Sequence, residues 1–108
     1  MATLTCEEVR TLFIDSENGW ILDEQSRSGT ATKVEIPVNE VMRHAILQGA
    51  DSLLFAHNHP SGDPRPSKQD VEFTRKLVMI GKELKIRVFD HIIVSRNGSF
   101  SFRASGYM

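Results

Sequence analysis

The residues best able to do chemistry stand in one stretch, His57-Asn58-His59-Pro60-Ser61-Gly62-Asp63-Pro64-Arg65-Pro66-Ser67-Lys68-Gln69-Asp70. Two histidines at i and i+2 on an extended backbone point the same way, because side chains alternate along a strand. Both imidazoles can then face one ion. A loop punctuated by Pro and Gly carries the chain from there to a helix whose first turn holds Asp70. Two imidazoles and a carboxylate make a three-ligand zinc site with a fourth position open for water. The same spacing has a plainer reading. Ser67-Lys68-Gln69-Asp70 fits a helix capping box, and two histidines beside a proline can be ordinary polar loop residues. The readings are compatible, since a cap at Ser67 still lets Asp70 reach an ion. On spacing alone both stay open.

The elements that must position this stretch follow from periodicity. Glu8 to Asp15 mixes β-branched and aromatic residues and predicts a strand. Ser16-Glu17-Asn18-Gly19 carries an Asn-Gly pair that favours a tight hairpin turn. Trp20-Ile21-Leu22 opens the partner strand, which runs out in the polar Gln25 to Gly29 segment, and Lys33 to Ile36 predicts a short third strand. Pro37 to Leu47 places Val38, Val41, Met42, Ala45 and Ile46 at helical spacing, with Pro37 suited to the first turn and Gly49 to the stop. Ser52 to Ala56 is an apolar run of strand length, buried on both faces. His57 to Pro66 predicts no regular structure. A helical pattern returns from Ser67, with Val71, Phe73, Thr74, Leu77, Val78 and Ile80 before Gly81. Ile86 to Ser95 predicts a strand, and Arg96-Asn97-Gly98-Ser99 a second hairpin turn into Phe100-Ser101-Phe102. This order predicts an α/β fold with a mixed sheet. The candidate site falls where a buried strand ends, a common place for function in such folds.

Length and composition set bounds on function. A chain of 108 residues makes one domain, 1–108. Thirteen Lys and Arg against 14 Asp and Glu leave a net charge of −1, without the basic excess that phosphate neutralisation demands of a dedicated nucleic-acid binder. Cys6 is the only cysteine, so no internal disulfide can form, and a reducing, cytoplasmic setting is expected. Met1 to Thr5 lacks the basic and apolar regions of a secretory signal. No apolar run approaches the roughly 20 residues that span a bilayer, so a soluble protein is expected.

His57-x-His59-Pro60, followed by Ser67 and Asp70 at this spacing, resembles the JAMM (MPN+) metalloprotease motif. The wording His-Asn-His-Pro-Ser-Gly-Asp-Pro, with Pro66-Ser67 after it, resembles the RadC branch in particular. Glu7 to Asp15, Asp90-His91-Ile92-Ile93-Val94 and Ser101-Phe102-Arg103 extend the likeness over almost the whole chain. The resemblance implies a single JAMM/MPN-like α/β domain, a mixed β-sheet flanked by helices in a cytidine-deaminase-like layout. It implies Zn2+ held by His57, His59 and Asp70, and Ser67 hydrogen-bonded to the substrate oxygen or the bound water. The superfamily's first-strand general base corresponds by spacing to Glu7, while adjacent Glu8 would face the other side of the sheet. The implied reaction is hydrolysis of a peptide or isopeptide bond in a peptide or protein substrate.

The RadC branch also has a traditional association with DNA repair. Its longer members carry an N-terminal helical segment resembling a helix-hairpin-helix module, which these 108 residues do not show. A DNA-associated factor and a silent, zinc-stapled interaction domain are therefore the competing expectations. An intact Glu7 and Ser67 weigh against the second, because a purely structural site tends toward four protein ligands. An iron-dependent oxygenase shares the two-histidine, one-carboxylate set but not the His-x-His-Pro spacing. Asn39 stands where the family often has arginine, away from the zinc site. Of the remaining residues, His91 reads as structural and paired with a carboxylate, and His44 as exposed on its helix. Cys6 reads as a small buried filler, Trp20 as packing, and Asp63 as turn chemistry.

Overall fold

The alternation of Glu8–Asp15 becomes strand β1, whose odd-numbered residues from Val9 to Asp15 are all buried. The computed structural model describes residues 7–27 and 37–108. Cys6 and the expected Lys33 to Ile36 strand lie outside the described residues. β1 pairs antiparallel with β2 (Trp20–Arg27), Asp15 opposite Trp20, so the connection has four residues rather than a two-residue Asn-Gly turn. The Asp15 carboxylate explains this. It accepts from the amides of Glu17 and Asn18 at 3.1 and 3.0 Å and from the Asn18 side chain at 2.7 Å, while Gly19 takes a left-handed φ of +73°.

Helix α1 (Val38–Leu47) follows, then β3 (Ser52–Asn58), helix α2 (Lys68–Leu84), β4 (Arg87–Ser95) and β5 (Gly98–Ser101). The sheet order is β2-β1-β3-β4-β5, with only the β3–β4 pair parallel. The mixed α/β sheet expected from the element order is therefore the observed one. A parallel pair needs a crossover, and α2 supplies it.

Three boundaries differ from the sequence reading. β2 runs on through Arg27 in its pairing with β1. β3 extends through His57 and Asn58, because its ladder with β1 continues to His57 and that with β4 to Asn58. α2 runs past Gly81 to Leu84, and here glycine permits close packing rather than a stop. A Cβ at Gly81 would lie 2.5 Å from the Ile86 carbonyl oxygen.

The core lies between the helices and one sheet face. Val9, Phe13, Leu53, Phe55 and Val88 meet Val41, Met42, Ala45 and Leu77 there. Residues 7, 57 and 59 share the strand parity of that face, so the candidate site is a polar end of the same layer that forms the core. Between Leu53 and Leu54 the β3–β4 register slips by one residue. That bulge moves the buried parity of β4 from Val88 to His91, Ile93 and Ser95, and so turns His91 inward. Among the described residues no helix is long and apolar enough to cross a membrane.

Candidate metal centre

The end of β3 and the start of α2 converge. His57 Nε2 lies 3.0 Å from His59 Nε2, and the Asp70 carboxylate stands 3.5 Å from His57 Nε2 through Oδ1 and 3.2 Å from His59 Nε2 through Oδ2. Ligand atoms arranged tetrahedrally about zinc stand roughly 3.3–3.5 Å apart, given bond lengths near 2.0–2.2 Å. The spacing of these three groups fits that requirement. Glu7 joins them. Its carboxylate and the two histidines offer ligand atoms all within 4.8 Å of one another.

Each side chain is aimed by local structure. His57 sits opposite Val9 in the β1–β3 ladder, and continuing that register by one like-facing pair puts Glu7 across from His59. Strand alternation turns Glu8 to the other face, where its amide donates to Asn58 Oδ1. The Pro- and Gly-rich loop closes on His59. The amide of Gly62 donates to the His59 carbonyl, and His59 Nδ1 donates to the Asp63 carbonyl at 2.9 Å. A carbonyl can only accept, so a neutral His59 keeps its lone pair on Nε2, facing Asp70.

Asp70 is held by the capping box anticipated as the plainer reading of the sequence. Its amide donates to Ser67 Oγ at 3.1 Å, and the Ser67 amide donates to its Oδ2 at 2.8 Å. Cap and site therefore use one carboxylate, which is 4% exposed. Burial on its own would raise the Asp70 pKa. Hydrogen bonds from the His57 and His59 rings when they carry a proton on Nε2, together with that from the Ser67 amide, overcome this and hold it far below the usual carboxylate range. His59 is shifted the other way, raised by its hydrogen bond to Asp70 against the opposing effect of burial. With both rings neutral and protonated on Nδ1, four acceptor atoms crowd one point, and either further protons or a cation must occupy the space between them.

An open cleft of about 430 Å³ leads to this point, lined by Glu7, His59, Pro60, Ser61, Asp63, Arg65 and Ser67. Asp63 serves the centre through its backbone carbonyl. Its carboxylate is turned outward to Arg65, 2.8 Å away, which lowers its pKa from 3.8 to about 2.

Two other histidines are tied into the fold, and His44 departs from the sequence reading. His44 is half-buried rather than simply exposed, bonded through Nδ1 to Glu24 at 2.9 Å and near Glu40. His91 is buried, and its ring is held by a hydroxyl and a second imidazole. Nε2 lies 2.8 Å from His57 Nδ1, and Nδ1 lies 2.5 Å from Thr74 Oγ1. The Asp90 carboxylate accepts from the His91 amide. The sequence did carry a signal for Thr74, which lies four residues after Asp70 on the same helix face. For His91 the signal was hidden, because the bulge breaks the alternation that would have placed it.

Residues 1–107 match the family model described as RadC-like JAB domain. The chain is 40% identical over 108 residues to a UPF0758 protein of Symbiobacterium thermophilum, covering all of this chain and 46% of that protein. It is 36% identical over 108 residues to a UPF0758 protein of Ruegeria pomeroyi, covering all of this chain and 48% of that one. The chain therefore spans about half the length of these curated relatives.

Proposed function

The chain belongs to the RadC-like JAB domain family, part of the JAMM superfamily, and from that premise we propose that it is a zinc-dependent hydrolase of peptide or isopeptide bonds. The observation that carries this reading is the convergence of His57 Nε2, His59 Nε2 and the Asp70 carboxylate at ligand spacing, with the Glu7 carboxylate beside them. In this reading His57, His59 and Asp70 are the ligands. A zinc ion supplies Lewis acidity, which acidifies water and polarises a carbonyl.

The remaining steps belong to the chain. Glu7, at the cleft wall, takes a proton from the attacking water on a carboxylate oxygen and returns it to the leaving nitrogen. Ser67, whose Oγ is held by the Asp70 amide, donates a hydrogen bond from its hydroxyl to the oxygen that gains charge in the tetrahedral intermediate. The open cleft suits an extended peptide or protein segment rather than an enclosed small molecule. A net charge of −1 does not favour DNA as the partner, and a single cysteine suits the cytoplasm.

Metal analysis and hydrolysis of peptide and isopeptide substrates, comparing the parent with Glu7→Gln, test the proposal. The parent is expected to hold one zinc per chain, and Glu7→Gln to keep that zinc while losing roughly 10²–10⁴-fold in rate. Loss of zinc in Glu7→Gln would make Glu7 a ligand instead of the base. A parent without zinc or hydrolytic activity would overturn the reading.

A further inference from the structure

We propose that His91 is a positioning residue that sets the tautomer of His57, so that the His57 lone pair on Nε2 faces the candidate metal centre. The inference rests on the reading of His57 as a metal ligand. Its evidence is a chain of three hydrogen bonds whose directions are not free.

The chain starts at a group that can only accept. Thr74 Oγ1 is 2.8 Å from the Asp70 carbonyl oxygen, and that contact is a hydrogen bond only if the threonine hydroxyl donates. Its single proton is then committed. The 2.5 Å contact between Thr74 Oγ1 and His91 Nδ1 must accordingly be donated by His91. A neutral His91 that carries its proton on Nδ1 presents a lone pair on Nε2. The 2.8 Å contact with His57 Nδ1 is therefore donated by His57, and the His57 lone pair falls on Nε2. Reversing the relay would leave two oxygen lone pairs facing each other at Thr74 and the Asp70 carbonyl.

The surroundings hold His91 to this task. It is 1% exposed, stacked on Phe102 at 4.4 Å with rings 3° from parallel, and met edge-on by Phe55 at 5.0 Å. The bulge in β4 is what brings the ring to the inner face at all. Asp70 and Thr74 are one turn apart on α2, so the helix that supplies the carboxylate also anchors the relay behind the imidazole. His59 reaches the same tautomer by a shorter route, through the Asp63 carbonyl. The two rings thus arrive at one point with matching lone pairs, each fixed from behind, as ligating histidines generally are.

Two readouts test the assignment. Imidazole ¹⁵N NMR of the chelator-treated protein, at a pH where the rings are neutral, reports the His57 tautomer without any metal. Zinc affinity by competition with a chromophoric chelator reports its consequence. The parent should show His57 protonated on Nδ1. Thr74→Val removes the acceptor for His91 and should move His57, which Thr74 does not touch in this relay, toward protonation on Nε2, with zinc affinity falling ~10–100-fold. Thr74→Ser should restore both, and His91→Gln, which keeps an acceptor for His57, should restore most of the tautomer. A parent His57 protonated on Nε2 overturns the inference, as does a folded Thr74→Val protein with parental tautomer and zinc affinity. A parent with the assigned tautomer but no zinc binding would overturn the metal reading and leave the His91 assignment supported.

Discussion

The two helices lie over the same face of the sheet and begin in opposite ways. α1 starts at Pro37, which offers no side-chain cap, and the residues it buries are Val41, Met42 and Ala45. α2 starts at Ser67 with a complete capping box and buries Asp70 and Thr74 besides Leu77 and Gly81. Both helices carry an apolar stripe that fits the core. The difference is that α2 also brings polar groups into that layer, and every one of them is matched by a specific partner. A buried carboxylate without partners would be costly, so its elaborate matching marks the place where polarity serves something other than packing.

That contrast can be broken or sharpened by substitution. The largest effect is expected from Asp70→Asn, which preserves an oxygen to accept from the Ser67 amide but removes the charge. Zinc binding should fall below detection by chelator competition, while the circular dichroism of α2 remains. Zinc binding at parental strength would instead identify Glu7, His57 and His59 as the ligand set. Next in size is Met42→Ala on α1, 2% exposed in the core, which should cost ~2–5 kcal/mol in urea denaturation and leave zinc affinity unchanged. A change in zinc affinity there would show that the two helices are not separable in role. Ser67→Ala should cost about 1 kcal/mol through loss of the cap. If Ser67 also serves the reacting oxygen, the rate of hydrolysis should fall further than stability does.

The smallest effect concerns the exposed pair on the loop into α2. The Asp63 pKa is pulled from 3.8 to about 2 by Arg65, so the pair contributes stability above pH ~4 and none below pH ~2. Arg65→Gln should therefore separate slightly from the parent in denaturation at neutral pH and converge with it on acidification. Solvent screening keeps the gap small. A gap that widens toward low pH would contradict the assigned direction.

Among the described residues, periodicity in the sequence was a sound guide to the elements, with errors confined to their ends and the first turn. β3 outran its apolar stretch because β1 continued to pair as far as His57 and β4 as far as Asn58. α2 passed Gly81 because the absence of a side chain there admits the Ile86 carbonyl. At the site, the spacing of His57, His59 and Asp70 allowed a metal centre and a plain helix cap alike, and it was the family resemblance, with strand parity setting Glu8 aside, that pointed to Glu7. The partners behind the histidines were not legible. Asp63 contributes a backbone carbonyl, which no side-chain pattern advertises, and His91 depends on a one-residue slip between strands.

Local order in the chain thus decided which side chains share a strand face or a helix turn, because pitch and pleat are properties of the backbone alone. The folded molecule decided which of those faces meet. Whether Asp70 reaches both imidazoles, and whether His91 stands behind one of them, depends on packing and register between segments distant along the chain. Those relations are set by the total energy of the layer, to which no single stretch of residues holds the key.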